Sequence, residues 1–393
     1  MSAPVITRPG VGGVLSETDA AEKQLRHSKL RAAMAENDLD AVLAFAPAWR
    51  RENVRYLTDT SLGGAATFVL LGREGDPVAF STRLSDITPL HRSGWVADAA
   101  TIALPDAAPL PDAVRALGAE RIGVAHLELL PLGFERAIRT AAPNVELVSA
   151  TKLFDAARMV KSPWELSRMR TAARVSDAAW RTFVEVLEPG LAEYEIVAAV
   201  ESEIKRLGAE DNFMLIASGT DEVLGMTPPS RRRVEVGDMV RTELTPQTDG
   251  YWLQICRSVT VGPPSAEQQR SFDLFYEAAE AGVAAVRPGV TAHEIAVAEN
   301  DVFRKYGYGE YCSDKWTRVR GHGLGLHLDE FPIIEGNHTV IPEGATLIIH
   351  PNTFTPIAGY HVFGDQIVVT ADGAEQLVQT ERRMFSSDEG SLA

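Results

Sequence analysis

The sequence contains few cysteines, no excess of basic residues and no long hydrophobic run, and each shortage excludes a class of protein. Its 393 residues include two cysteines, Cys256 and Cys312, and neither has the CxxC spacing of metal or redox sites. We therefore expect a reducing compartment and interpret Cys256 as a buried, inert thiol. No apolar run approaches the roughly 20 residues of a membrane span, and the N-terminus MSAPVITRPG lacks an apolar signal core. The sequence predicts a cytoplasmic protein that does not bind membranes.

The shortage of basic charge argues against a second class of protein, the nucleic-acid-binding proteins. The chain has 38 basic and 54 acidic residues, a net charge of −16, whereas nucleic-acid binding requires a basic surface. The one dense basic cluster, Arg231–Arg233, is predicted to lie on a solvated turn. The hydrophobic content of 45% is ordinary for a globular enzyme.

The first part of the chain predicts a small α/β domain, residues 1–157. A helix is expected from Ser16, a plausible N-cap, to residue 37. Strand-like runs then alternate with helical segments, which is typical of this class. Arg50, Arg51 and Arg55 follow the first strand, either as surface charges or as groups that reach a neighbouring subunit. The strand-like runs are 40–46, Ala65–Leu71, Pro77–Ser81, Arg121–Val124 and Val145–Val148.

The second part, residues 158–393, predicts an α+β domain with an internal repeat. Ser162, Pro163 and Glu165 form a strong helix start, with an N-cap, a proline at the first position and a capping box. Two helix pairs alternate with antiparallel strands, which suggests a sheet curved around a cavity. The expected helices run from Ser162 to Val186, from Glu193 to Leu207, from Ser265 to Val286 and from Thr291 to Gly307, and the last strands are Ala345–His350 and Gln366–Thr370.

A β-hairpin is expected at the centre of this domain, from Met239 to Gly262. Asp249-Gly250 supplies the turn between two runs of strand-forming residues. Glu243 and Gln254 are polar residues that interrupt the two arms. Because the chain folds back at the turn, their side chains can lie close together. An exposed hairpin with a solvated glutamate is the alternative.

Three further segments carry polar residues in apolar or glycine-rich surroundings. His322 is the centre of Gly321–Gly325, where glycines let the backbone approach a ligand closely. His350 ends a buried strand, and Asp365 precedes another. A single histidine of this kind is more often a satisfied core residue than a catalyst. Together with Glu243, the two histidines form a set that acid–base chemistry could use.

These segments resemble the pita-bread fold shared by methionine aminopeptidase, prolidase, aminopeptidase P and creatinase. GHGLG, followed by Glu330-Phe-Pro332, is the most specific mark of the resemblance. The first domain and the phrase Arg158–Glu165 resemble the creatinase/prolidase branch. The resemblance therefore implies a pita-bread C-terminal domain behind a smaller α/β N-terminal domain.

Metal-dependent members of this family hold two divalent ions with two Asp, one His and two Glu. At the matching positions this sequence has, in order, Glu243, Gln254, His322, His350 and Gly364, with Asp365 beside the last. Two dications require bridging carboxylates, which Gln, His and Gly cannot supply. The comparison therefore predicts that no metal ion or other cofactor is bound.

Within the family, the segments TDGYWLQICRS and GHGLGLHLDEFP most resemble ectoine hydrolases. The resemblance implies a metal-independent hydrolase that opens the cyclic amidine of ectoine to N-acetyl-2,4-diaminobutyrate. In this hypothesis Glu243 attacks the amidine carbon or activates water, while His322 and His350 transfer protons. Met226 and Asp329 replace two histidines of the peptidases. The residues expected to shape the substrate pocket are Tyr251, Trp252, Gln254, Met226 and Asp329.

The resemblance also implies partners and leaves alternatives open. We expect a homodimer, since relatives in this branch are dimers with shared sites. Acceptance of hydroxyectoine and binding of a deacetylase of the same pathway stay open. The first alternative is a metal-free, creatinase-like hydrolase of another amidine or guanidine. The second is a non-catalytic pita-bread binding module, and a metal peptidase is the least favoured.

Overall fold

The structure is a computed structural model that describes residues 15–104 and 107–389. Residues 1–14, on which the expectation of no signal segment depends, lie outside this range. The chain separates into two compact units at Arg158–Met159. Within the described residues, no helix is both long and apolar enough to cross a membrane.

The first unit contains a six-stranded mixed sheet with strand order β4-β3-β2-β1-β5-β6. Strand β1 is antiparallel to β2 and parallel to β5, and every residue of β1 and β2 is buried. Phe45 stacks on Phe68 of the neighbouring strand with ring centroids 5.0 Å apart. The strands are β1 (Ala41–Pro47), β2 (Ala66–Gly72), β3 (Val78–Ser81), β4 (Asp98–Thr101), β5 (Arg121–Val124) and β6 (Glu146–Ser149).

Within the described residues, six α-helices accompany this sheet. The prediction of the first is confirmed: Ser16 is its N-cap and accepts a hydrogen bond from the Asp19 N–H. All five strand predictions in this unit are matched within a residue or two, whereas β4 was not predicted. The helices are α1 (Glu17–Glu36), α2 (Glu52–Thr58), α3 (Ile87–Ser93), α4 (Pro109–Leu117), α5 (Leu132–Ala141) and α6 (Thr151–Met159).

The second unit is built on a nine-stranded sheet with the main order β11-β12-β15-β10-β8-β7. Strand β9 pairs with β8, β16 with β15 and β17 with β10, while β13 and β14 form a separate ribbon. The strands are β7 (Asp211–Gly219), β8 (Met239–Thr248), β9 (Tyr251–Trp252), β10 (Ile255–Thr260), β11 (Gly321–Gly323), β12 (Thr346–Ile349), β13 (Thr353–Thr355), β14 (Gly359–His361), β15 (Gly364–Thr370), β16 (Gly373–Gln376) and β17 (Phe385–Ser386).

Two helix pairs pack in this unit, and the sequence predicted all four helices. Ser162, Ser265 and Thr291 each cap a helix and complete a capping box with the residue three positions on. The mixture of helices and antiparallel strands confirms the α+β class. The helices are α7 (Pro163–Val186), α8 (Glu193–Arg206), α9 (Ala266–Ala285) and α10 (Ala292–Lys305).

The central hairpin is also confirmed. Thr248 pairs with Tyr251, so Asp249 and Gly250 are the two turn residues. Both have positive φ, 51° and 84°, as the type I′ turn of a two-residue hairpin requires. The hairpin continues in the antiparallel pairing of β8 with β10.

Candidate active site

The register of the second sheet gathers the polar residues on one face. Cys256 pairs with Glu243 on one side and with Gly364 on the other. In a second row, Ile348 pairs with both His322 and Gln366. Gln366 is two residues beyond Gly364 on β15. Because side chains alternate between the two faces of a sheet, the residues of both rows lie on the same face.

Glu243 is the carboxylate of this face. Its Oε1 accepts a hydrogen bond of 2.9 Å from Asn352 Nδ2. Burial raises the pKa of the Glu243 carboxyl, the Asn352 hydrogen bond opposes this rise, and the charge of Asp329 adds to it. A carboxylate whose pKa is raised is a better proton acceptor near neutral pH than an ordinary surface glutamate.

His322 and His350 lie together, with ring centroids 5.3 Å apart and an interplanar angle of 70°. Burial lowers the pKa of both imidazoles, that of His350 to about 3, and His322 adds to the lowering at His350. His322 Nδ1 lies 3.1 Å from the Gly323 carbonyl. A carbonyl can only accept, so Nδ1 carries the hydrogen and Nε2 keeps its lone pair. The two rings are therefore neutral proton carriers.

The residues predicted to shape the pocket lie at different distances from this centre. Gln254 is buried, and its backbone N–H donates to Gln366 Oε1 at 2.9 Å. The Trp252 N–H donates to the Gly325 carbonyl at 2.8 Å, which places the hairpin beside the GHGLG segment. The hydroxyl of Tyr251, by contrast, donates to Glu165 of α7 at 2.9 Å.

Met226 and Asp329 border the site from two loops. Met226 packs against the buried cluster of Cys256, Tyr360 and Val362. The Asp329 carboxylate is largely exposed and lies 3.8 Å from His322 Nδ1. The structure thus brings Glu243, His322 and His350 onto one face, and the roles assigned to all these residues stay predictions.

Sequence reasoning missed three residues that support the site. Asn352 contacts Glu243 directly, and only its place after His350-Pro351 hinted at a role. The buried guanidinium of Arg241 donates to the carbonyls of Thr220 and Ala358, each at 2.9 Å, and so ties the segment after β7 to the turn before β14. The Tyr360 hydroxyl lies 3.2 Å from Thr317 Oγ1, and burial raises its pKa.

Comparison with known proteins assigns both halves of the chain. The model of metallopeptidase family M24 matches residues 167–371, and that of the creatinase/prolidase N-terminal domain matches residues 26–160. The chain belongs to metallopeptidase family M24. The M24 domain carries every residue of the candidate site, and the predicted pita-bread fold with its creatinase/prolidase N-terminal domain is confirmed.

Individual relatives of this M24 protein are peptidases. It is 31% identical over 259 residues to an Xaa-Pro dipeptidase of Pyrococcus horikoshii, covering 65% of this chain and 73% of the relative. An uncharacterised peptidase of Bacillus subtilis is 26% identical over 368 residues, 92% of this chain and 99% of the relative.

Solved structures show the same fold. The Xaa-Pro dipeptidase from Bacillus anthracis superimposes with a TM-score of 0.81 at 24% identity, covering 93% of this chain and 99% of the other. The prolidase from Pyrococcus horikoshii OT3 gives a TM-score of 0.79 at 27% identity, with 91% and 99% covered.

These findings overturn the predicted function. A metal-independent ectoine hydrolase is wrong for this M24 protein, because the matching family is one of metallopeptidases and its named relatives are Xaa-Pro dipeptidases. A cyclic amidine substrate, ectoine catabolism and a deacetylase partner have no support among them. The alternatives of another amidine hydrolase and of a non-catalytic module are not favoured either. The broader prediction, a hydrolase of the creatinase/prolidase family, holds.

The residues at the family's metal positions do not fit a two-metal centre. Gly364 has no side chain, and Asp365 lies on the opposite face of the sheet, 2.5 Å from Arg257 and 2.9 Å from Arg382. Gln254 is a neutral amide. Over residues 15–104 and 107–389, no group of three or more His, Cys, Asp or Glu side chains is arranged to hold a metal ion. The side chains at these positions therefore differ from the metal-binding set that the family's name, metallopeptidase, implies.

Proposed function

We propose that this M24 protein is a hydrolase that cleaves an amide C–N bond in a small substrate of about dipeptide size, with Glu243 activating the attacking water. The observation that carries the proposal is the partly buried Glu243 carboxylate, whose pKa is raised, on the same sheet face as two neutral imidazoles. Amide hydrolysis needs a proton acceptor and proton carriers, because water must lose a proton and the leaving nitrogen must gain one.

The proposed reaction follows from these groups. Glu243 takes a proton from water as the water oxygen bonds to the carbonyl carbon, and an electron pair moves onto the carbonyl oxygen. The proton then passes through His322 Nε2, which has a free lone pair, to the leaving nitrogen. The electron pair on the former carbonyl oxygen then re-forms the C=O bond, and the C–N bond breaks. The products are a carboxylic acid and an amine. His350 is the second proton carrier in this scheme.

The relatives support the substrate size and the bond type. Several are named Xaa-Pro dipeptidases, whose substrates are two residues long by name. We extend the same class of substrate to this chain. A homodimer and the domain boundaries 1–157 and 158–393 belong to the same proposal, as do Gln254, Trp252 and Met226 as pocket residues.

The test is hydrolysis of a dipeptide panel by the purified protein. Xaa-Pro dipeptides and matched Xaa-Ala dipeptides are incubated with the enzyme, with and without added Mn²⁺, and the released amino acids are quantified by liquid chromatography. Glu243→Gln keeps the shape of the side chain but removes the proton acceptor, and should lower kcat by about 10²–10⁴-fold.

Glu299→Gln is the matched control. Glu299, in α10, is a buried glutamate whose pKa is likewise raised by burial, and it lies outside the site. This variant should keep native kcat. Absence of turnover across the panel in both metal conditions, or a Glu243→Gln enzyme as active as the native one, would refute the proposal.

A further inference from the structure

Asn352 joins the candidate carboxylate to the backbone immediately before β15. Its Nδ2 donates to Glu243 Oε1 at 2.9 Å, and its Oδ1 accepts from the Phe363 N–H at 3.1 Å. Only 1% of the Asn352 residue surface is exposed. A backbone N–H can only donate, so the oxygen must face Phe363 and the NH₂ group must face Glu243. The orientation of the amide is therefore fixed by its partners.

The backbone of Asn352 is held just as firmly. Its carbonyl accepts from Arg320 Nη1 at 3.2 Å, and the Arg320 carbonyl accepts from the His350 N–H at 3.0 Å. Arg320 itself is fully buried, and its Nε donates to Asn300 Oδ1 at 2.5 Å. Asn352 and His350 are thus hydrogen-bonded to the same buried arginine. These bonds limit how far the Asn352 side-chain amide can move relative to the sheet.

We propose that Asn352 is a positioning residue, which fixes the Glu243 carboxylate by binding Oε1 and so assigns proton transfer to Oε2. The inference rests on the proposed function of Glu243 as the group that activates water. A carboxylate that rotates freely about its last bond would aim an oxygen at the attacking water for only part of the time. One fixed hydrogen bond removes that freedom before the substrate binds.

Asn352→Asp separates this role from a structural one. The substitution keeps the size of the side chain and the oxygen that accepts from Phe363 N–H. It replaces the NH₂ donor by a second carboxyl oxygen, which repels Glu243 when both carboxyls are ionised. Asn352→Ala removes both bonds and also leaves the Phe363 N–H without its partner, so it should lower stability as well as activity.

Asn212→Asp is the matched control. Asn212 has the same pattern of bonds outside the site: Nδ2 donates to Glu201 Oε1 at 2.8 Å, and Oδ1 accepts from the Thr245 N–H at 3.3 Å. We expect Asn352→Asp to lower kcat by roughly 10²-fold at pH 8 with KM within about threefold. Asn212→Asp should keep both constants near native values.

Crystal structures of the native protein and of Asn352→Asp supply a second measurement that does not depend on turnover. A displaced or rotated Glu243 carboxylate in the variant supports the inference, and a carboxylate in its native place overturns it. Native kcat in Asn352→Asp also overturns it, as does an equal loss in the Asn212→Asp control. If no amide is hydrolysed, the proposed function fails, and the crystallographic comparison alone decides the position of Glu243.

Discussion

Gly364 and His350 lie so close on neighbouring strands that a Cβ atom added to Gly364 would be 2.5 Å from the Cβ atom of His350. The same atom would be 2.3 Å from the Ile349 carbonyl oxygen. Real Cβ atoms do not approach so closely, so a side chain at position 364 requires the end of β12 to move. Position 364 therefore requires glycine for as long as the chain at Ile349 and His350 keeps its place.

Gly364→Ala should consequently destabilise the M24 domain by about 1–3 kcal/mol, the usual cost of overpacking a rigid core. The measurement is urea unfolding followed by tryptophan fluorescence. Gly225→Ala is the control, since an added Cβ there meets no atom within 4 Å. Equal unfolding midpoints for the two variants would contradict the prediction, because they would show that β12 can move away from β15 without a loss of unfolding free energy.

Stability should fall on acidification because of His361. This histidine is fully buried, stacks on Phe275 with ring centroids 4.8 Å apart, and has its pKa lowered from 6.5 to about 3 by burial and by the charge of Arg241. Between these two pH values the unfolded chain binds a proton that the folded chain does not. The free energy of unfolding therefore falls as pH falls, by up to about 1.4 kcal/mol per pH unit for one such group.

His361→Phe removes this contribution while keeping an aromatic ring. Its free energy of unfolding, minus that of the native protein, should rise as pH falls from 6 to 4.5 and should be constant above pH 7. Urea unfolding at several pH values measures the difference. A difference that does not change with pH over this range contradicts the prediction.

The buried ion pair between Lys161 and Glu330 links the segment before α7 to the loop after β11. Its nitrogen and oxygen are 3.1 Å apart, with side-chain exposures of 2% and 6%. Lys161→Met leaves a buried carboxylate unpaired and should cost about 3–5 kcal/mol of unfolding free energy. Adding Glu330→Leu removes that charge and should recover most of the loss.

The control for this pair lies on the surface. Arg206 and Glu203 are 2.6 Å apart, but the arginine side chain is 68% exposed. Arg206→Met should change the unfolding midpoint far less than Lys161→Met, because water replaces the lost partner. A double variant at Lys161 and Glu330 that is no more stable than Lys161→Met would contradict the assignment of the cost to an unpaired charge.

The two thiols should differ in reactivity. Cys256 is fully buried, and burial together with the nearby Glu243 charge raises its pKa well above 9.0. Cys312 is partly exposed. Ellman's reagent should modify one thiol in the native protein and two in guanidinium chloride. Cys312→Ser should abolish the rapid native reaction, and a fast-reacting Cys256 in that variant would contradict its burial.

Much of the fold could be predicted because its signals are local. Asp249-Gly250 predicts a type I′ turn from two adjacent residues, and Ser162 with Glu165 predicts a helix start from a spacing of three. The alternation of buried strands and helices fixed the class of both units. The short strand β4 was missed because its sequence DAAT, half exposed, carries no hydrophobic pattern.

The support of the site could not be predicted, because it depends on contacts distant in sequence. Asn352 and Glu243 are 109 positions apart, and Asp365 and Arg257 are 108 apart. Nothing near Asp365 in the sequence shows that two arginines hold it on the far face. The substrate was mispredicted for a related reason: a resemblance between short segments was extended to a reaction, whereas the matches over whole domains are to dipeptidases.

In the second sheet, the face on which each side chain lies depends on its position along the strand, because side chains alternate between the two faces. Moving β10 by a single residue against β8 and β15 would exchange Cys256 for Ile255 or Arg257 on the face that carries Glu243. A one-residue insertion in β10 should thus be damaging, because it moves every residue of the strand beyond the insertion to the opposite face. The chemistry of this surface therefore depends on the length of the strand as well as on the side chains that the strand presents.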